Sequence, residues 1–126
     1  MDWPILLLAV GVVALLWFFL RKKLIPAERA RALLNRGAKV VDVRTEREFA
    51  EGAVKGALNI PLDRLVEELP KQFPDRAQPL LLHCLGGVRS QSGVQRLRGL
   101  GYTDVHNLGS LGRARSIVER DIPRPC

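Results

Sequence analysis

The chain has 126 residues and a formal net charge of +7, with 47% hydrophobic and 26% charged residues. That length holds a single domain, and the composition excludes a disordered tail, a repeat array and a multidomain enzyme. Aromatics at 6% and dispersed basic residues lack the stacking platforms and basic arms of nucleic-acid binders, so no nucleic-acid partner is expected.

Trp3 to Leu20 is 18 residues long, apolar on every helical face and free of charge. As a helix it rises about 27 Å, near the thickness of bilayer hydrocarbon. Asp2 precedes it, Arg21-Lys22-Lys23 follows it, and no small-residue cleavage site ends it. These flanks argue against a cleaved signal peptide. Residues 1–23 are therefore read as a single-span transmembrane anchor with a basic flank. The positive-inside rule then predicts an outside N-terminus and a cytoplasmic domain over 24–126, as at a bacterial inner membrane. Cys84 and Cys126 do not make a disulfide framework, and a reducing compartment is expected.

Pro26 to Arg36 predicts a helix, with Pro in its first turn and Gly37 as its stop. Lys39 to Val43 is short and β-branched, hence a buried strand. Thr45 and Glu48 have capping-box spacing and open a brief helix that Gly52 ends. Ala57 to Ile60 reads as a strand, and Pro61 starts a helix through Leu69. Pro79 to His83 is a strand without alternation, buried on both faces. A glycine loop leads to a helix over about 89–100, capped by Gly101, and then to a strand, Val105 to Leu108. A last helix begins near Gly109. Strands alternating with helices imply an α/β sandwich with a parallel sheet.

In such sheets ligands bind beyond the carboxyl ends of the strands. His83-Cys84-Leu85-Gly86-Gly87-Val88-Arg89-Ser90 stands at that position. The glycines let the backbone N–H groups curl inward, and the following helix adds its positive end, so Cys84 lies in an anion cradle. That field favours thiolate over thiol and brings comparable cysteines to a pKa of about 3.5–7.5. Cys84 is the expected nucleophile, with Leu85, Gly86, Gly87, Val88 and Arg89 as the binding loop. His83 is expected to be a satisfied core histidine. His106 has no partner suggested by spacing, and no cluster has metal-ligand spacing.

Cys84-x-x-Gly87-x-Arg89-Ser90 resembles the active-site loop of single-domain rhodanese (thiosulfate sulfurtransferase) proteins. Val41-Asp42-Val43-Arg44, Glu48-Phe49-x-x-Gly52 and Gly56-Ala57-Leu58-Asn59-Ile60-Pro61 resemble further family motifs, as do Gly93, Leu97, Gly101-Tyr102 and Asn107-Leu108-Gly109. The resemblance runs over about residues 25–123. It implies a three-layer α/β/α sandwich with a five-stranded parallel sheet, whose short first strand lies near Leu24-Ile25. It also implies sulfur transfer from thiosulfate or a persulfide donor, through a Cys84 persulfide, to cyanide, a thiol or a protein acceptor. No cofactor is required. Arg89 would orient an anionic donor or neutralise the loop sulfur, while Asp42, Arg44 and Ser90 would support the loop.

Three positions depart from the family pattern: Ala53 for the usual histidine, Ala114 for the usual tryptophan, and Ser110 for the second glycine of a turn. Two other readings compete. A cysteine phosphatase or arsenate reductase shares the His-Cys start but places five residues between cysteine and arginine, and this chain has four. A non-catalytic binding or regulatory module is the other, opposed by the presence of both Cys84 and Arg89. Cys126 is expected to be an exposed thiol, with a role as acceptor or resolving thiol for Cys84 as the sharper alternative.

Overall fold

The structure is a computed structural model, and it describes residues 2–20 and 23–119. In chain order the elements are α1 (Trp3–Leu20), α2 (Ala27–Asn35), β1 (Lys39–Asp42), α3 (Glu46–Glu51), β2 (Leu58–Asn59) and a 3-10 turn (Leu62–Arg64). Then come α4 (Leu65–Gln72), β3 (Leu80–His83), α5 (Val88–Gly99), β4 (Val105–Gly109) and α6 (Leu111–Glu119).

The four strands form one sheet in the order β2-β1-β3-β4, and every pairing is parallel. Strand alternation divides the buried side chains into two clusters. Val41, Leu80 and Leu82 join Leu65 and Leu69 of α4 and Val94 and Leu97 of α5 on one face. Val40 and Leu81 join Ala30 and Leu33 of α2 and Ala114 and Ile117 of α6 on the other. Both faces of the sheet are thus covered, as the α/β pattern requires.

The expected fifth strand at Leu24-Ile25 does not form. The Ile25 N–H donates to the Asn107 carbonyl at 3.0 Å. A parallel ladder would next send the Gly109 N–H to the Ile25 carbonyl. Instead the Gly109 N–H donates to Asn107 Oδ1 at 2.9 Å, and the Ile25 carbonyl accepts from the Arg113 guanidinium. Pro26 immediately caps α2, so the segment turns away after one sheet bond.

The expected membrane anchor is also corrected. Among the described residues no helix is long and apolar enough to cross a membrane. The single span, the outside N-terminus and the cytoplasmic placement at an inner membrane fall with it. Arg21 and Lys22 of the basic flank lie outside the described residues, as does Cys126.

A smaller difference concerns α4, which continues to Gln72 rather than ending before Pro70. Leu65 and Leu69 on its buried stripe are fully covered, and the Phe73 N–H still reaches the Leu69 carbonyl at 2.8 Å. Packing therefore outweighs the one helix bond that Pro70 cannot make.

Candidate active site

Register aligns the carboxyl ends of the two central strands, with Asp42 of β1 beside His83 of β3 and His83 beside Gly109 of β4. The chain leaves β3 into Cys84, whose N–H donates to the Gly109 carbonyl at 3.2 Å. Gly87 then reverses the loop at φ +95°, a left-handed conformation that favours glycine, and α5 begins at Val88. The loop is held from the far side as well, since the Leu111 N–H donates to the Leu85 carbonyl at 3.2 Å.

Cys84 is 1% exposed, with its sulfur under the loop it begins. The Gly87 N–H donates to Sγ at 2.9 Å, and the Ser90 hydroxyl lies 3.5 Å from it. Burial pushes the thiol up, but the Ser90 hydroxyl and the N–H groups of Ser90, Gly87 and Gly86 together bring it below the ordinary cysteine value. The N-terminus of α5 adds its dipole in the same direction. Leu85 and Val88 point outward, 58% and 67% exposed, and give the loop an apolar rim.

Arg89 is already engaged. Its guanidinium holds Glu48 of α3 in a bidentate pair, Nη1 to Oε1 at 2.7 Å and Nη2 to Oε2 at 2.9 Å. The same carboxylate closes the α3 capping box, accepting from the Thr45 N–H and hydroxyl. The Arg89 hydrogen bonds, followed by that of the Thr45 backbone, bring the Glu48 carboxyl down to about 2. Sequence reading gave Glu48 its cap but not its arginine partner, because 41 residues separate the two and no local pattern links them.

Asp42 and Arg44 form a buried ion pair, Nη2 to Oδ2 at 2.8 Å, and the Arg44 N–H also donates to Asp42 Oδ1 at 2.9 Å. Arg44 reaches on to the Gly52 carbonyl at 2.8 Å, tying the end of α3 to β1. Asn59 Nδ2 donates to the carbonyls of both Asp42 and Arg44, each at 3.0 Å. A cleft of about 410 Å³ opens beside the loop, lined by Arg44, Glu48, Glu51, Gly52, Leu85, Leu111 and Arg115.

Two histidines depart from expectation. His83 is fully buried, but its Nε2 has no hydrogen-bond partner among the described residues and stands 3.8 Å from Asp42 Oδ2. Burial lowers its pKa, with Asp42 opposing, so it is neutral near pH 7. His106 does have a partner, Asp104 Oδ1 at 2.6 Å. The signal was the period of two that places both residues on one side of an extended chain. The most informative residue that sequence reading left without a role is Asn107. Buried in β4, it donates from Nδ2 to the Gly87 carbonyl at 3.1 Å and accepts from Ser90 Oγ at 2.7 Å.

Of the three departures from the family pattern, Ser110 has a local explanation. Its hydroxyl accepts from the Arg113 N–H at 3.1 Å and caps α6. Ala114 is fully buried in the apolar cluster between the sheet, α2 and α6, and Ala53 is half-buried.

Comparison with known proteins agrees with this geometry. The rhodanese-like domain model matches residues 26–111. The thiosulfate sulfurtransferase GlpE of Stutzerimonas stutzeri is 34% identical over 86 residues, covering 68% of this chain and 77% of that protein. The thiosulfate sulfurtransferase PspE of Escherichia coli is 34% identical over 71 residues, covering 56% of this chain and 68% of that one. Among solved structures, the human single-domain sulfurtransferase TSTD1 superposes with a TM-score of 0.61 at 32% identity, over 78% of this chain and 96% of its own. A match of that extent places the chain in the rhodanese-like domain family, as a sulfurtransferase.

Proposed function

We propose that residues 24–126 form a unit that moves a sulfane sulfur in two steps through Cys84. In the first, the Cys84 thiolate attacks the outer sulfur of thiosulfate or of a persulfide. The donor's sulfur–sulfur bond breaks with its electron pair on the departing sulfite or thiolate, and Cys84 becomes a persulfide anion. In the second, cyanide, a thiol or a protein cysteine attacks the outer sulfur of that persulfide and regenerates the Cys84 thiolate. Charge and sulfur balance in both steps without an external oxidant or reductant.

The observation that carries this reading is the set of donors converging on one buried sulfur, the Gly87 N–H at 2.9 Å foremost. Such donors stabilise a negative sulfur whether it is thiolate or persulfide, and they are in place before reaction. The four-residue spacing from Cys84 to Arg89 and the names of the relatives, thiosulfate sulfurtransferases, support a small sulfur-bearing donor. The apolar rim of Leu85 and Val88 suits the body of a thiol or protein acceptor. Asp42, Arg44 and Ser90 support the loop, and Leu85 to Arg89 bind the donor.

The test is intact-protein mass spectrometry of the full chain after incubation with thiosulfate or glutathione persulfide. The expected result is a gain of one sulfur atom, absent from Cys84→Ser and lost on adding cyanide. A wild-type mass unchanged by both donors would refute it.

A further inference from the structure

The Ser90 hydroxyl stands between two acceptors and has one proton to give. Its Oγ is 2.7 Å from Asn107 Oδ1 and 3.5 Å from Cys84 Sγ. Partners on both sides define the orientation of the Asn107 amide. The Gly109 N–H donates to Oδ1 at 2.9 Å, while Nδ2 donates to the Gly87 carbonyl at 3.1 Å and to Gln91 Oε1 at 3.2 Å. Reversing the amide would set an N–H against the Gly109 N–H and an oxygen against the Gly87 carbonyl, so the atom facing Ser90 is the oxygen. An amide oxygen only accepts, and the short contact therefore uses the Ser90 proton. That proton does not serve the sulfur at the same time.

We propose that Asn107 is a positioning residue that holds the Ser90 hydroxyl away from the sulfur while Cys84 is a thiol and yields it to the sulfur when Cys84 ionises. The inference rests on Cys84 being the nucleophile. No covalent bond of Ser90 or Asn107 changes: the hydroxyl hydrogen rotates from Oδ1 to Sγ, and the proton of Cys84 goes to solvent. Release leaves no orphan, because Asn107 Oδ1 keeps the Gly109 N–H. Asn107 thus acts on Cys84 in two opposing ways. Through Gly87 it steadies a loop that stabilises thiolate, and through Ser90 it withholds a donor from that thiolate.

The charged groups around the site are Asp42 at the end of β1, Arg44 just after it, Glu48 and Glu51 from α3, Arg89 from α5, and Arg113 and Arg115 from α6. Asp42 pairs with Arg44, Glu48 with Arg89 and Arg115 with Glu119, and Arg113 donates to backbone carbonyls. His83 on β3 is buried and neutral. None of these changes in the variants below, so the titration reads Ser90 and Asn107.

The experiment is a pH titration of the Cys84 thiolate by its ultraviolet absorbance in the full chain, with Cys126→Ser as the common background. Asn107→Ala removes the competing acceptor and is expected to move the titration down by roughly half to one pH unit, the worth of one neutral hydrogen bond. Ser90→Ala is expected to move it up, and adding Asn107→Ala to Ser90→Ala is expected to bring no downward movement. A merely structural Asn107 predicts the opposite sign, since loosening Gly87 weakens the amide donors. An unmoved or upward titration in Asn107→Ala overturns the proposal, as does a downward movement that persists without Ser90. Asn107→Ser, too short to reach Ser90, is expected to move down as well and serves if the alanine variant does not fold. A wild type that takes up no sulfur would remove the proposed function and leave this titration to be judged on its own.

Discussion

Glu48 joins two devices with one carboxylate, and they respond differently to substitution. Its bidentate pair with Arg89 balances the formal charge at the mouth of the loop, while its contact with Thr45 caps α3. Glu48→Gln keeps an acceptor for the cap, because glutamine serves in the capping box as well as glutamate. It leaves the Arg89 charge uncompensated. The KM for thiosulfate is expected to fall about two- to five-fold, the range of a partly exposed ion pair, with kcat nearly unchanged and a steeper dependence on salt. Steady-state kinetics at two ionic strengths check this. A raised KM would show instead that the carboxylate is needed to aim the guanidinium.

At the scale of elements, the seating of α5 on β3 matters most, because β3 delivers Cys84 and α5 delivers the Ser90 hydroxyl and amide facing it. Gly93 lets them meet: a Cβ there would lie 2.9 Å from Leu82 Cδ2 and 3.0 Å from Leu65 Cδ2. Both leucines are fully buried and have little room to yield. Gly93→Val is expected to destabilise the fold by about 1–3 kcal/mol through overpacking. Urea unfolding is expected to show a lower midpoint with an unchanged slope, and a wild-type midpoint would mean that the helix shifts freely. Much at this scale was legible from local patterns. The capping box at Thr45 and Glu48, the glycine that reverses the loop and the continuous apolar strand Leu80 to Leu82 all appear where sequence reading placed them. The failed fifth strand was not legible, since it depends on Arg113 and Asn107 capturing groups that a ladder would have used.

For the whole molecule, His83 and Glu48 both make the fold sensitive to acid. Burial lowers the folded-state pKa of His83 below its ordinary 6.5, so the unfolded chain takes the proton first. Stability is then full above about 6.5 and is lost as pH falls toward the lowered value. Glu48, lowered from 4.5 to about 2, removes a second contribution between those limits. Urea midpoints are expected to drop between pH 7.5 and 5.5, and His83→Gln is expected to flatten most of that slope whatever its own stability. An equal slope in the variant would assign the acid sensitivity elsewhere.

What the sequence determined by itself is what near neighbours decide: the elements and most of their ends, the parallel α/β class, and a cysteine at a strand end before a glycine turn and a helix. Each follows from spacing within a few residues, where backbone geometry leaves few alternatives. Only the tertiary structure decided which groups meet across long separations. The pairs Glu48–Arg89 and Ser90–Asn107 are 41 and 17 residues apart, and each exists because parallel register sets the ends of separate elements side by side. The apolar run at Trp3–Leu20 belongs to both categories. Its apolar composition agrees with the helix that forms, whereas among the described residues no helix is long and apolar enough to cross a membrane.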